Sequence, residues 1–392
     1  MTSTLLTDCR LVTFVLDAGG AGQIALVDDG ALVISDEIVA WAGQRNSLPK
    51  QWEDLAPESC GGRLLTPGLV DAFTGLYPGP TGEMSEDLYV TQALTRLAGN
   101  LAEGVTWREF KTGAAADLET AMRQLSLARR IRAAAPQRLS VTLRAAHLRE
   151  DDEDHDAHMQ MLCTKLIPEA HASGLLDAVE ALCDDKLEVE TGEACGFSLD
   201  DASTVLEAAY RKKIPTRLGC ERHADTGAVA LAPSFYARCA AYLNFCDELG
   251  VEALAQARTT ALLLPLAQAP GQRLPPVDEL RSRGISIALG TAGEDDAGST
   301  PTGRAVEWTS PLLAARRACE LYGLTEAEAI AGITFEGARV LGGPNGDPRV
   351  GTLSWGAPAD LALWDATELE ALLQTDPPLL AARVWVRGRR WI

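Results

Sequence analysis

The sequence predicts a (β/α)8 TIM barrel that carries a small composite β-sandwich domain built from both termini. Three observations lead there. Eight short, mostly apolar strand candidates alternate with helix-length segments through the middle, spread over ~270 residues. Both ends of the chain are β-prone and turn-rich. No Gly-rich phosphate loop follows the first central strand, which weighs against a doubly wound sheet. The barrel is assigned to residues 65–344, and the composite domain to 1–64 and 345–392.

The chain has 392 residues, enough for one large and one small domain. Its 46% hydrophobic and 23% charged residues are those of a globular protein. A formal charge of −20 makes a nucleic-acid partner unfavourable and reads as a solvated acidic surface. Nine cysteines lie scattered, without a C-x-x-C pair, so reduced thiols and a cytoplasmic location are expected. No signal peptide is evident, and no apolar run reaches the roughly 18 residues of a membrane span.

At the N-terminus, Cys9–Leu16, Ile24–Val27, Ala31–Ser35 and Glu37–Trp41 are strand candidates separated by turn residues. At the C-terminus, Gly351–Leu353, Ala359–Trp364 and Ala382–Trp391 are strand-like. The barrel strands are expected at Leu69–Phe73, Val105–Lys111, Leu139–Ala146, Asp177–Cys183, Ile214–Gly219, Ala241–Phe245, Ala261–Pro265 and Ser286–Thr291. Between them, Leu118, Met122, Leu125 and Ala128 recur at helical spacing behind Asp117, a natural N-cap for a helix to Ala134. Further helices are expected at His158–Ala172, Leu199–Arg211, Gly303–Tyr322 and Thr325–Ala338, the last opened by a Thr325/Glu328 capping box.

Chemistry in such a barrel sits where strands end and βα loops begin. The first strand ends at Phe73 and Gly75, the second at Lys111, the third at His147. Lys111 is a base, a substrate cation or a carboxylated metal bridge in the functional readings, and a barrel lysine paired with a neighbouring carboxylate in the structural one. His147 is an acid, base or hydrogen-bond donor, or a satisfied structural histidine. Asp184 follows the fourth strand in an acidic loop. Glu221 and His223 follow the fifth, either as a base and its neighbour or as a charged surface loop. Tyr242 ends the sixth. Glu294 to Asp296 lie beyond the eighth, in a Gly-rich stretch that reads as solvated.

Over nearly its whole length the sequence resembles the imidazolonepropionases, metal-dependent ring-opening hydrolases of the amidohydrolase superfamily. The likeness runs through Thr66-Pro67-Gly68-Leu69-Val70-Asp71, Glu103-Gly104-Val105-Thr106, Lys111-Thr112-Gly113, Ala146-His147, Gly196-Phe197-Ser198-Leu199 and Gly298-Ser299-Thr300-Pro301. The order and spacing of these pieces, more than any one of them, make it specific.

The resemblance implies a metal held by a His-x-His pair after the first strand, a histidine after the fifth and an aspartate after the eighth. Those positions are Phe73, Gly75, Gly219 and Ala292 here, and none offers a donor atom. The family's proton-handling histidine corresponds to Tyr242, and a tyrosine of its Ser-Gly-Tyr-Gly segment to Ala114. The stretch that would carry its substrate-binding arginine is largely missing. His147 and Glu221 match a substrate-contacting histidine and a catalytic-site glutamate.

A metal site needs three or four donors in fixed geometry. The expectation is therefore a homologue without metal or other cofactor, which no longer opens the ring by the ancestral route. It would keep a pocket at Phe73, Gly75, Gly219, Tyr242 and Ala292 for a small cyclic amide-like ligand, or pair with a partner subunit, with a homodimer as another arrangement. The alternative is a hydrolase of cyclic amide C–N bonds. It would use metal-independent acid–base chemistry of His147, Glu221 and Lys111, or a metal site rebuilt from His223, Asp184 and Glu294.

Overall fold

In the computed structural model the described residues are 3–16, 22–75, 84–113, 117–146, 154–183, 197–292, 310–342 and 349–392. Four strands open the chain: β1 (Ser3–Leu16), β2 (Gly22–Ser35), β3 (Ile38–Gln44) and β4 (Pro57–Pro67). Eight follow through the middle: β5 (Leu69–Asp71), β6 (Val105–Lys111), β7 (Arg138–Ala146), β8 (Ala178–Cys183), β9 (Thr216–Cys220), β10 (Cys239–Tyr242), β11 (Thr260–Leu263) and β12 (Ile287–Leu289). The last three are β13 (Leu361–Trp364), β14 (Ala381–Val386) and β15 (Arg389–Arg390).

Strands β5 to β12 pair in parallel, each with its sequence neighbour, in one eight-stranded sheet. The ring closes through the residues just beyond β5 and β12. Thr74 bridges Ala292, and the Ala292 N–H donates to the Phe73 carbonyl at 2.9 Å. Asp71 adds a side-chain staple, accepting from the Thr291 N–H at 3.1 Å and its hydroxyl at 2.7 Å. The strands are largely buried on both faces, because one face lines the barrel and the other meets the helices.

Both termini contribute to a seven-stranded mixed sheet, ordered β15-β14-β13-β4-β1-β2-β3. Its far edge returns on itself: Ile38 of β3 bridges Pro358, just ahead of β13. Leu6, Leu32 and Val39 thus share one apolar cluster with Leu361, Leu363 and Trp385. Leu5 and Val33, on the other face, pack against Leu48, Trp52 and Leu55. Trp364 joins this sheet to the barrel, fully buried with its indole N–H on the Thr66 hydroxyl at 2.9 Å. Gly104 opens β6 at φ +81, and a Cβ there would sit 2.7 Å from the Trp364 ring, so both backbone and space demand glycine.

The eight barrel strands fall on the eight predicted segments, with shifted ends. The sixth was expected at Ala241–Phe245 but spans Cys239–Tyr242, because Tyr242 (φ 74) and Leu243 (φ 63) turn left-handed and end the pleat. The expected strands Ile24–Val27 and Ala31–Ser35 are one strand. The Asp28-Asp29-Gly30 stretch read as a turn is instead absorbed within β2 where the β1 register shifts, with Asp29 at φ 45.

Three further expectations are corrected. The helix expected at His158–Ala172 starts earlier, at His155 behind the Asp154 cap, and passes through a π-helical turn at Leu162–Leu166. Pro168, in the first turn of the following Ile167–Ala172 helix, has no N–H to give to the preceding turn. The helix expected at Thr325–Ala338 is two, Glu326–Gly332 and Phe335–Leu341, broken at Thr334 (φ −133, ψ −93). Gly351–Leu353 is a turn, in which the Thr352 hydroxyl donates to the Arg349 carbonyl at 2.6 Å. The caps at Asp117 and Thr325 form as expected. Of Gly303–Tyr322, Pro311–Tyr322 is helical, and residues 303–309 lie outside the described residues.

Candidate functional site: a packed barrel mouth

Phe73 leaves β5 and turns inward. Only 3% exposed, it joins a cluster with Val70, Leu182, Ala241, Tyr242, Leu262 and Ala288 inside the barrel. Its ring meets that of Tyr242 edge to face, centroids 5.7 Å apart and planes at 78°. Tyr242 is 5% exposed, and the Arg222 guanidinium lies 4.7 Å above its ring. Ala292 completes the cluster in a left-handed conformation, φ 66. Gly75 is bridged to Lys111.

Gly219 lies under this plug. A Cβ built there would strike Leu182 Cδ1 at 2.7 Å and approach Tyr242 Cε2 at 3.4 Å. The space a longer side chain would need is taken by neighbouring carbon.

Lys111 is the last residue of β6 and 1% exposed. Its ammonium lies 3.0 Å from the centre of the Phe73 ring. It is 2.5 Å from Glu180 Oε1 on β8 and 3.7 Å from Glu109 Oε2 on its own strand. Glu109 in turn accepts from the Thr142 hydroxyl at 2.6 Å and contacts the Arg217 guanidinium of β9. Arg144 of β7 pairs in register with Glu180. Three cations, Lys111, Arg144 and Arg217, thus share the barrel interior with two carboxylates, and all five are at most 5% exposed. Burial lowers Lys111 from 10.5 to about 8, with Glu180 opposing the fall and Arg144 adding to it. The Cys239 thiol beside Arg217 and Lys111 is pushed up to about 11 by burial and stays neutral.

Glu221 is also buried, at φ 55. Its carboxylate faces its own loop, accepting from the Thr226 N–H at 2.8 Å, the Thr226 hydroxyl at 3.3 Å and the Val229 N–H at 3.3 Å. Burial raises its pKa against these bonds. His223 is half-buried. His147, Ala114, Asp184 and Glu294 to Asp296 lie outside the described residues.

The structure therefore gathers Phe73, Gly75, Lys111, Gly219, Tyr242 and Ala292 at one end of the barrel, with Glu221 turned away beside them. Sequence reasoning passed over Glu109, Arg144, Glu180 and Arg217. A signal existed: Glu109 and Lys111, like Thr142 and Arg144, are polar residues two apart within strands, which puts them on one face.

At these four positions the donor chemistry does not fit a metal: a phenyl ring, two glycines and a methyl group stand there, and even a Cβ at Gly219 would meet Leu182. Among the described residues, no group of three or more His, Cys, Asp or Glu side chains is placed to hold one.

Solved structures of amidohydrolase-superfamily enzymes share this architecture. One is N-isopropylammelide isopropylaminohydrolase from Burkholderia multivorans, with a TM-score of 0.71 at 18% identity over 100% of this chain and 98% of that one. Guanine deaminase from E. coli gives 0.67 at 16%, over 100% and 99%. The chain thus has the amidohydrolase barrel fold. In sequence it is 35% identical to the imidazolonepropionase of Cupriavidus pinatubonensis over 86% of this chain and 84% of the relative. It is 32% identical to that of Brucella abortus over 93% of each. The chain belongs to the imidazolonepropionase family. No protein-family model matches it.

Proposed function

We propose that this chain is a metal-independent member of the imidazolonepropionase family that has lost metal-assisted ring opening. The observation that carries this reading is the Phe73–Tyr242–Lys111 plug. An aromatic pair and an internal ammonium fill the ground where the family's ligands would converge. A bound metal lowers the pKa of its water to about 7 and polarises a carbonyl. Without donors, neither effect has a source here. Nor is Glu221 set up as a general base, because loop N–H groups already hold its carboxylate.

The backbone of the mouth keeps its unusual form. Glu221, Tyr242, Leu243 and Ala292 are all left-handed non-glycine residues at strand ends. Such strain persists where surrounding structure enforces it, commonly at functional sites. The frame of a catalytic mouth with hydrocarbon in place of ligands is what loss of one chemistry on a retained fold would leave.

The test is turnover of imidazolonepropionate, followed beside the Cupriavidus enzyme, with and without added zinc or iron. No turnover above the uncatalysed rate is expected in either condition. Turnover comparable to the relative's would overturn the proposal.

A further inference from the structure

We propose that Lys111 is a nucleophilic amine that captures a small carbonyl compound, most favourably a 2-oxo acid, as an imine at the end of β6. This goes beyond the loss of ring hydrolysis.

The geometry supplies the parts such a reaction needs. Lys111 stands at the C-terminal end of a barrel strand, where this fold places its chemistry. An amine is activated when it is desolvated or set beside other cations. Lys111 has both: it is 1% exposed and shares the barrel interior with Arg144 and Arg217. A base lies in reach, with Glu180 Oε1 2.5 Å from Nζ. Glu180 has no other hydrogen bond identified among the described residues, whereas Glu109 is engaged by Thr142 and Arg217. Arg144 and Arg217 stay cationic beside Lys111 after it has lost its proton, which favours an anionic carbonyl over a neutral one. With its pKa lowered to about 8, the free-amine fraction near neutral pH exceeds that of an exposed lysine by on the order of a hundredfold.

The ammonium proton passes to Glu180. The Nζ lone pair attacks the carbonyl carbon, and the C=O π pair moves onto oxygen. The alkoxide takes that proton back from Glu180, and the Glu180 carboxylate then accepts a proton from the positively charged nitrogen, giving a neutral carbinolamine. Glu180 returns this proton to the hydroxyl as the C–O bond breaks, water leaves and the nitrogen lone pair forms the C=N bond, so the product is a protonated imine beside the Glu180 carboxylate. Phe73 is the door, because its ring covers the amine and must swing aside for a carbonyl to reach Nζ.

The experiment uses the full chain with glyoxylate and sodium cyanoborohydride near neutral pH, with peptide mass spectrometry to locate the carboxymethyl adduct. The chain has only six lysines, so the map is clean. The expected result is an adduct at Lys111 that forms at least as fast as at exposed Lys50, Lys212 and Lys213. It should form faster in Phe73→Ala, more slowly in Glu180→Gln, and faster with glyoxylate than with propanal. Labelling confined to the exposed lysines, in both the wild-type chain and Phe73→Ala, would overturn the proposal. The readout is mass, independent of metal content and of ring hydrolysis, so it stands or falls apart from the proposed function.

Discussion

The Lys111 ammonium lies 3.0 Å from the centre of the Phe73 ring. One is the last residue of β6 and the other stands two residues past β5, so neighbouring strands deliver a cation onto an aromatic face. Such a contact is worth roughly 0.5–2 kcal/mol, depending on desolvation. It also places a positive charge, tethered by a covalent side chain, at the C-terminal end of a barrel strand.

Phe73 should therefore be structural. Phe73→Ala removes a buried ring from a cluster shared with Tyr242, Leu262 and Ala288 and strips the cover from Lys111. A loss of about 3–5 kcal/mol is expected in urea unfolding, with an unchanged m-value. A loss under about 1 kcal/mol would mean that the ring is not packed as described.

Lys111 should leave a signature in alkaline pH. Burial lowers it from 10.5 to about 8, so between those values the unfolded chain holds a proton that the folded chain has released. Stability then rises with pH in that window, by at most roughly 1.4 kcal/mol per unit for one group. The general effect of alkali on an acidic protein is removed by comparison with Lys111→Met. Thermal melts from pH 7 to 10 should show the wild type gaining on the variant above pH 8. Parallel curves would mean that Lys111 titrates as in water.

Glu221→Gln should loosen a loop rather than abolish a reaction. The charged carboxylate holds Thr226 and Val229, and an amide oxygen accepts more weakly. A loss of about 1–2 kcal/mol is expected, with faster amide hydrogen exchange at residues 226 to 229. Unchanged exchange there would show that the carboxylate does not hold the loop.

The barrel was legible because its signal is repeated. Val105–Lys111 is a strand both in the sequence reading and in the structure, and Leu199–Arg211 matches residue for residue. Breaks inside elements were less legible. Thr334 interrupts a helix whose apolar pattern runs through it, and Pro168 was absorbed into one continuous helix.

At the site, the resemblance picked out Phe73, Gly75, Gly219 and Ala292, which meet at one end of the barrel. How they pack there was only half readable. Two aromatic residues at strand ends suggested a filled mouth, but the pairing of Lys111 with Glu180 depends on three-dimensional register across 69 residues. Which way Glu221 turns depends on loop amides that no spacing reveals.

The proposed lack of a metal site at the barrel mouth is tested most directly by metal content. Purified chain, exchanged without chelator and offered zinc or iron, should carry substoichiometric metal by elemental analysis, and Phe73→Ala and Lys111→Met should not change that figure. Stoichiometric metal that is lost when residues of the barrel mouth are substituted would contradict it.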